Sequence, residues 1–500
     1  IGYINRMQFS NLDFLVLISY LAIVLLAGLH SSKNDTSKSF FLADKELPWY
    51  FIMLSIVATE TSSLTFLNIP GLSFKGDFSF LQVAFGYIIG RAFVANFILP
   101  LYYKGGYSSV YEWVGEKFGK ETQKSVSSVF LITRVLGDGI RLYATSIPIA
   151  IIFHGYFQNL VSEETTGILT LFIITMITTL YTVFGGFKSV VVTDSLQFFI
   201  YIGGGVFSFV YLMQDLGNHI SFSEILSTSL SNGKLNFYQG STGITTSNFF
   251  QKPYFFINGL IGGILLSIGT HGVDQMFAQR LIACKSEKES KLALIGSGIL
   301  VFLQFVLFLG IGLLLFYKYQ GSEIHPDKVF SKYIIENIPT PILGIIVAAI
   351  LASAMSTLSS SINSMSLSVL FDWMKKNESE HQRVLLSKWI SVLWGFVLFG
   401  SSLLPYYFSG KTSEGLVEIG LKIASFTFGP LTALFLLVRL KDRFALNLYP
   451  SLLIFSLFLS LVTTILFSIS LKPAMAYLIP FGIFIFYLTI FTGQFLKPKV

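Results

Sequence analysis

The sequence predicts an all-α polytopic membrane protein of about thirteen transmembrane helices, ten of which form two five-helix blocks related as an inverted repeat. Composition, the spacing of apolar runs and the alternation of basic loops carry that reading. With 53% hydrophobic, 16% aromatic and only 12% charged residues, and a mean hydropathy of +0.69, the chain holds about half the charge of a soluble domain. Apolar stretches able to cross a bilayer recur at about 10–30, 48–71, 78–103, 123–154, 165–184, 189–213, 254–279, 292–317, 340–371, 385–408, 415–439, 447–470 and 474–496.

Basic residues report topology. Alternate loops carry Lys33, Lys38 and Lys45; Lys104, Lys117, Lys120 and Lys124; Arg280, Lys285, Lys288 and Lys291; Lys375, Lys376, Arg383 and Lys388; and Arg439, Lys441 and Arg443. Placed in the cytoplasm, they orient the chain N-out and C-in. The net charge of +7 is spread over these loops and never forms a patch, which excludes nucleic acid as a partner. The segment 10–30 lacks a cleavage pattern and is expected as a retained extra helix. The polar stretch of about 214–253 is expected as an external loop containing a short helix. Cys284 is expected to be an incidental thiol on a cytoplasmic loop, and no metal cluster is available. Residues 1–500 are expected to form a single transmembrane domain working as a monomer among lipids in a plasma membrane, the bacterial inner membrane in particular.

Residues 48–213 and 254–439 are the expected repeats, with accessory helices at 447–496. An odd number of spans in each forces opposite orientations. The opening span of each repeat is interrupted by polar residues. In the first, Ser55 to Thr65 places Glu60 and several hydroxyls in mid-membrane, where an unpaired charge costs about 2.5–3.5 kcal/mol. In the second, Gly262, Gly263 and Ser267 to Gly272 precede Asp274 and Gln275. Such breaks free backbone groups for ions and solutes, and they are tolerated only beside a cavity or inside protein. The alternative readings are that Gly262 and Gly263 allow close packing and that Glu60 partners a nearby cation.

Residues 348–366 place eight hydroxyls in another span. Ser353, Ser356, Thr357, Ser360 and Ser364 follow helical spacing and line one face, where their oxygens suit a small hard cation such as sodium. Close helix packing is the competing explanation. A third site is the turn at Gly185-Gly186, followed one helical turn into the next span by Asp194, which needs a base, with Lys188 nearest in sequence, or a bound cation.

The run Tyr181-Thr182-x-x-Gly185-Gly186-Phe187-x-Ser189 with Thr193-Asp194-x-x-Gln197 resembles the sodium/solute symporter family, whose members include sodium–glucose, proline, sialic acid and monocarboxylate symporters. The resemblance continues through Gly272-x-Asp274-Gln275-x-x-x-Gln279-Arg280 and Ala354-x-Ser356-Thr357-x-Ser359-Ser360-x-Ile362-Asn363-Ser364, covering roughly 10–440. It implies a LeuT-like core and sodium as the coupling ion. It also implies a first sodium site at Ala58, Thr61, Ser353, Ser356 and Thr357, and a second at Asp194, Ser356, Ser359 and Ser360. Two departures stand out: Glu60, where many members are neutral, and Leu64-Thr65, where some sugar and sialic acid carriers have Glu-Gln.

Glu60, Ser62, Ser63, Thr65, Gln82, Ser267, Thr270 and His271 are the expected solute contacts. Arg91, Arg134 and Arg141 within spans either anchor a carboxylate or pair with acids such as Glu60 or Asp138. The expected activity is sodium-coupled symport of a small polar organic solute by alternating access, with no enzymatic step. The alternatives are a transporter-like sensor, which needs a signalling module after the last span, and a membrane subunit of an ion pump, which needs repeated Lys, Glu or His series.

Overall fold

The computed structural model describes residues 9–30, 36–156, 161–217, 220–238, 255–320, 322–374, 378–408, 416–444, 446 and 448–495, and among them only helices and their connections occur. The principal helices are α1 (Asn11–His30), α2 (Trp49–Glu60), α3 (Ser63–Lys75), α4 (Leu81–Phe93), α5 (Val110–Phe118), α6 (Lys120–Tyr156), α7 (Glu163–Gly217), α8 (Phe222–Ser231), α9 (Phe256–Ile268), α10 (Gln275–Ile282), α11 (Glu287–Tyr319), α12 (Pro326–Asn337), α13 (Ile342–Ser368), α14 (Glu380–Phe408), α15 (Leu416–Arg443), α16 (Pro450–Leu471) and α17 (Leu478–Phe495). Among the described residues, eleven helices are long and apolar enough to cross a membrane, and the bent pair α2–α3 is a twelfth candidate.

One of the eleven is too long for a single crossing. α7 has 55 residues, on the order of 80 Å of helix against a hydrocarbon core of about 30 Å. It is broken at Gly186, whose φ of 61° and ψ of −159° lie in a region essentially restricted to glycine. This is where the Gly-Gly pair predicts a turn. The polar stretch of about 214–253 contains the helix α8, while residues 218–219 and 239–253 of it lie outside the described residues.

α13 forms the centre of the molecule. Its Leu343–Ser368 stretch is buried almost without interruption, because alanine and serine let α7, α1 and α14 approach on all sides. Lipid-facing helices invert the pattern: on α1 and α16, large residues such as Leu15, Leu26, Phe455 and Ile469 are more than half exposed. α9 packs on α4 through glycines, and a Cβ at Gly263 would lie 2.2 Å from the Val83 carbonyl oxygen. Gly262 and Gly263 are therefore packing residues, and the interruption of this span lies further on, at Gly269–Val273 and the extended Asp274.

Replacing Gly186 by alanine is expected to cost about 1–3 kcal/mol through backbone strain. A lowered thermal midpoint of the detergent-purified protein, with no comparable loss for Gly203→Ala in the helical arm that follows, checks it.

Candidate ion and solute site

The site is built around the break between α2 and α3. The helical ladder of α2 ends with the Thr61 N–H on the Val57 carbonyl at 2.9 Å and resumes with Thr65 and Phe66 donating to the Ser62 carbonyl. The two halves are bent by 64°. Carbonyls released between them must be satisfied by other parts of the protein or by a ligand. Thr357 of α13 donates to the Thr59 carbonyl at 3.2 Å. A void of about 10 Å³, the room one water occupies, lies beside Thr357, Ser62 and Ser63.

Deeper along α13, Asp194 of α7 is fully buried and collects donors from three other elements. Ser55 reaches it at 2.5 Å, Ser356 at 2.7 Å, Arg280 at 3.0 Å and Thr59 at 3.3 Å. Arg280 also donates to Ser360 and, through Nε, to Ser55 at 2.9 Å. The base required by Asp194 is thus Arg280, whereas the exposed Lys188 lies 3.9 Å from Glu46. Arg280 is not on a loop: α10 carries it into the protein, where it has no exposure. Cys284 is buried as well, and burial pushes its thiol up to about 12.

Beside the break lies a cavity of about 120 Å³. Glu60, Ser62, Thr65, Thr133, Arg134, Asp138, Arg141 and Thr270 supply its polar lining, while Phe80, Tyr87, Leu266, Phe277, Phe305 and Phe428 form an apolar wall. Each predicted intramembrane arginine has an acidic partner: Arg91 with Glu60, Arg134 with Asp274, and Arg141 with Asp138 at 3.1 Å. Arg91 is fully buried and also donates to Ser297 at 2.8 Å. The Arg134 side chain is 7% exposed and that of Arg141 27%, so Arg141 is the more accessible of the two arginines that line the cavity.

The sequence model of the sodium:solute symporter family matches residues 40–447. The chain belongs to that family. Human sodium-coupled monocarboxylate transporter 2 is 26% identical over 81% of this chain and 63% of its own length, so the chain spans less than two thirds of that relative. The sodium/sialic acid symporter SiaT of Proteus mirabilis (strain HI4320) is 26% identical over 86% of this chain and 85% of its own length. A solved structure of a Na+-coupled sialic acid symporter in a substrate-bound outward-open state superposes with a TM-score of 0.84 at 23% identity, covering 98% of this chain and 99% of that one. The fold is thus the LeuT-like helical membrane core that the sequence predicts.

In this family member the residues expected at the sodium sites divide. Ser356 meets Asp194, Ser360 meets the Asp194 partners Arg280 and Thr59, and Thr357 meets the break. Ser353 donates to the Ile350 carbonyl at 2.7 Å, Ser359 to the Ser356 carbonyl at 3.0 Å, and the Thr61 hydroxyl to Gln304 at 2.8 Å. Ala58 is buried at the last turn of α2. Among the expected solute contacts, Glu60, Ser62, Thr65 and Thr270 line the cavity. Ser63 instead pairs with Thr145 at 2.5 Å, Gln82 donates to the Phe237 carbonyl and Ser267 to that of Tyr87 at 3.0 Å. His271 sits behind Glu60, its Nδ1 3.1 Å from the Ser267 carbonyl and its Nε2 3.7 Å from Glu60 Oε2. Gln304 and the buried Asp372, held by Gln123 at 2.8 Å and Ser368 at 2.6 Å, join the polar interior without having been singled out for it. The available signal was that any polar residue in an apolar run needs a partner.

Arg280→Ala is expected to destabilise the protein by about 3–5 kcal/mol, because it leaves a buried carboxylate unpaired. Combining Arg280→Met with Asp194→Asn should cost less than the sum of the single changes, which a double-mutant cycle on unfolding in detergent reads directly.

Proposed function

We propose that this protein is a sodium-coupled symporter that carries a small organic acid inward by alternating access, without any chemical step. The observation that supports it most is the meeting of the broken α2–α3 pair with the hydroxyls of α13 and with Asp194, beside a cavity that holds Arg141. Sodium favours neutral and anionic oxygens over nitrogen. The first ion would take the Ala58 and Thr61 carbonyls with Ser353, Ser356 and Thr357. The second would take Asp194 with Ser356, Ser359 and Ser360, sharing the carboxylate with Arg280. Thirteen spans, N-out and C-in, with repeats at 48–213 and 254–439, complete the reading for a monomer in a bacterial inner membrane. The bacterial sialic acid symporter among its relatives supports that location.

For the solute, the support is Arg141. It adjoins the cavity with exposed surface although Asp138 balances its charge, and a guanidinium can add a bidentate carboxylate partner. Two relatives are also named for acids. Coupling requires sodium to bind the outward- and inward-facing states unequally. One ion moved through a potential of about 100 mV releases about 2.3 kcal/mol, roughly fifty-fold accumulation, and two ions square that factor.

In proteoliposomes, uptake is expected to require sodium, and Ser356→Ala with Thr357→Ala to raise the half-saturating sodium concentration at least about tenfold. Unchanged sodium dependence in the folded double variant overturns the assignment. Asp194→Asn is expected to lower the sodium Hill coefficient toward one and to reduce charge per solute in reversal-potential measurements. A ratio of one sodium per solute in both proteins would remove the second site.

A further inference from the structure

The charges around the cavity leave one oxygen unused. Arg91 and His271 both approach the same atom of Glu60, its Oε2. Glu60 lines the cavity with 15% of its side chain exposed, and among the described residues Oε1 receives no hydrogen bond. Arg91 fixes the carboxylate from behind, since its guanidinium is also held by Ser297 and has no exposure. A rigid, anionic acceptor thus borders the same small space as Arg141. Such an acceptor repels the carboxylate end of a solute and stays unsatisfied against a hydrocarbon one.

We propose that the solute carries, besides its carboxylate, a hydrogen-bond donor, an ammonium or hydroxyl group, which Glu60 Oε1 receives. This rests on the reading that Arg141 takes the carboxylate. The two groups would sit at the polar side of the cavity while the remainder of the solute packs on Phe277, Phe305 and Phe428. That wall offers no partners for a ring of hydroxyls, so the class is a small amino or hydroxy acid with an apolar remainder. Glu60 thereby acts as a specificity residue: a site built to accept from a donor discriminates strongly against the analogue that lacks it.

The test uses the purified full chain in sodium, with two matched series as probes: alanine, lactate and propionate, and leucine, leucic acid and isocaproate, each also as its methyl ester. Binding is read by thermal shift and confirmed by competition against whichever probe is taken up. The donor-bearing acids of at least one series are expected to bind about 10- to 100-fold tighter than the unsubstituted acid. The amino and hydroxy arms distinguish an ammonium from a hydroxyl donor. Glu60→Gln, which keeps the side-chain shape, is expected to shrink that ratio about tenfold. Equal affinity for substituted and unsubstituted acids in the wild type overturns the proposal while leaving the carboxylate reading intact, and this arm needs no variant to fold. Esters binding as well as their acids would overturn the carboxylate reading. If no probe binds in sodium, both readings fall.

Discussion

Arg91, Arg134, Arg141 and Arg280, all within the helical interior, are each held by a carboxylate, and the fold around them is arranged to meet that requirement. A bilayer offers no water to an arginine or a carboxylate, so the protein must supply the partner or pay several kcal/mol. Arg91 with Glu60, Arg134 with Asp274 and Arg280 with Asp194 each join different helices, while Arg141 and Asp138 share α6. The interhelical pairs act as registers, because sliding one helix past another by a turn would strand two ions in a low-dielectric interior.

The same requirement explains where the chain is irregular. The break at Thr61–Ser62 and the one at Gly269–Asp274 expose backbone groups that lipid cannot satisfy. Both lie inside the protein, the first against Thr357 and the second against Arg134, which takes the Asp274 side chain. Irregular backbone and buried charge therefore fall together, and the cavity lies between them. α13 makes this possible: its small residues admit close neighbours, and its hydroxyls then supply oxygens at the contacts.

Pairing also limits what the site can do. An arginine buried completely against its partners, like Arg91, holds structure and has no surface open to a ligand. Arg141 and Glu60 differ, since each has a partner on one side and the cavity on the other. A polar group satisfied from behind and open in front is preorganised: it need not reorganise to meet a solute. Asp194 differs again: it is fully buried, and hydroxyls and one guanidinium already occupy both of its oxygens and fix them in place.

The sequence alone determined the class, the helical stretches, the turn at Gly186 and the interrupted spans, because each is local: hydropathy over a span, a glycine needed at positive φ, polar residues crowded into an apolar run. Motif order likewise pointed to Asp194 and the α13 hydroxyls. The tertiary structure decided the partners. Arg280 reads in sequence as one basic residue in a basic loop, and only the docking of α10 carries it to Asp194. Gln82, Ser267 and His271 have the chemistry of solute ligands, yet their orientation gives them to Phe237, Tyr87 and the back of Glu60. A side chain's partner depends on helices far apart in the chain meeting at one depth and rotation, and no spacing along a single helix encodes that.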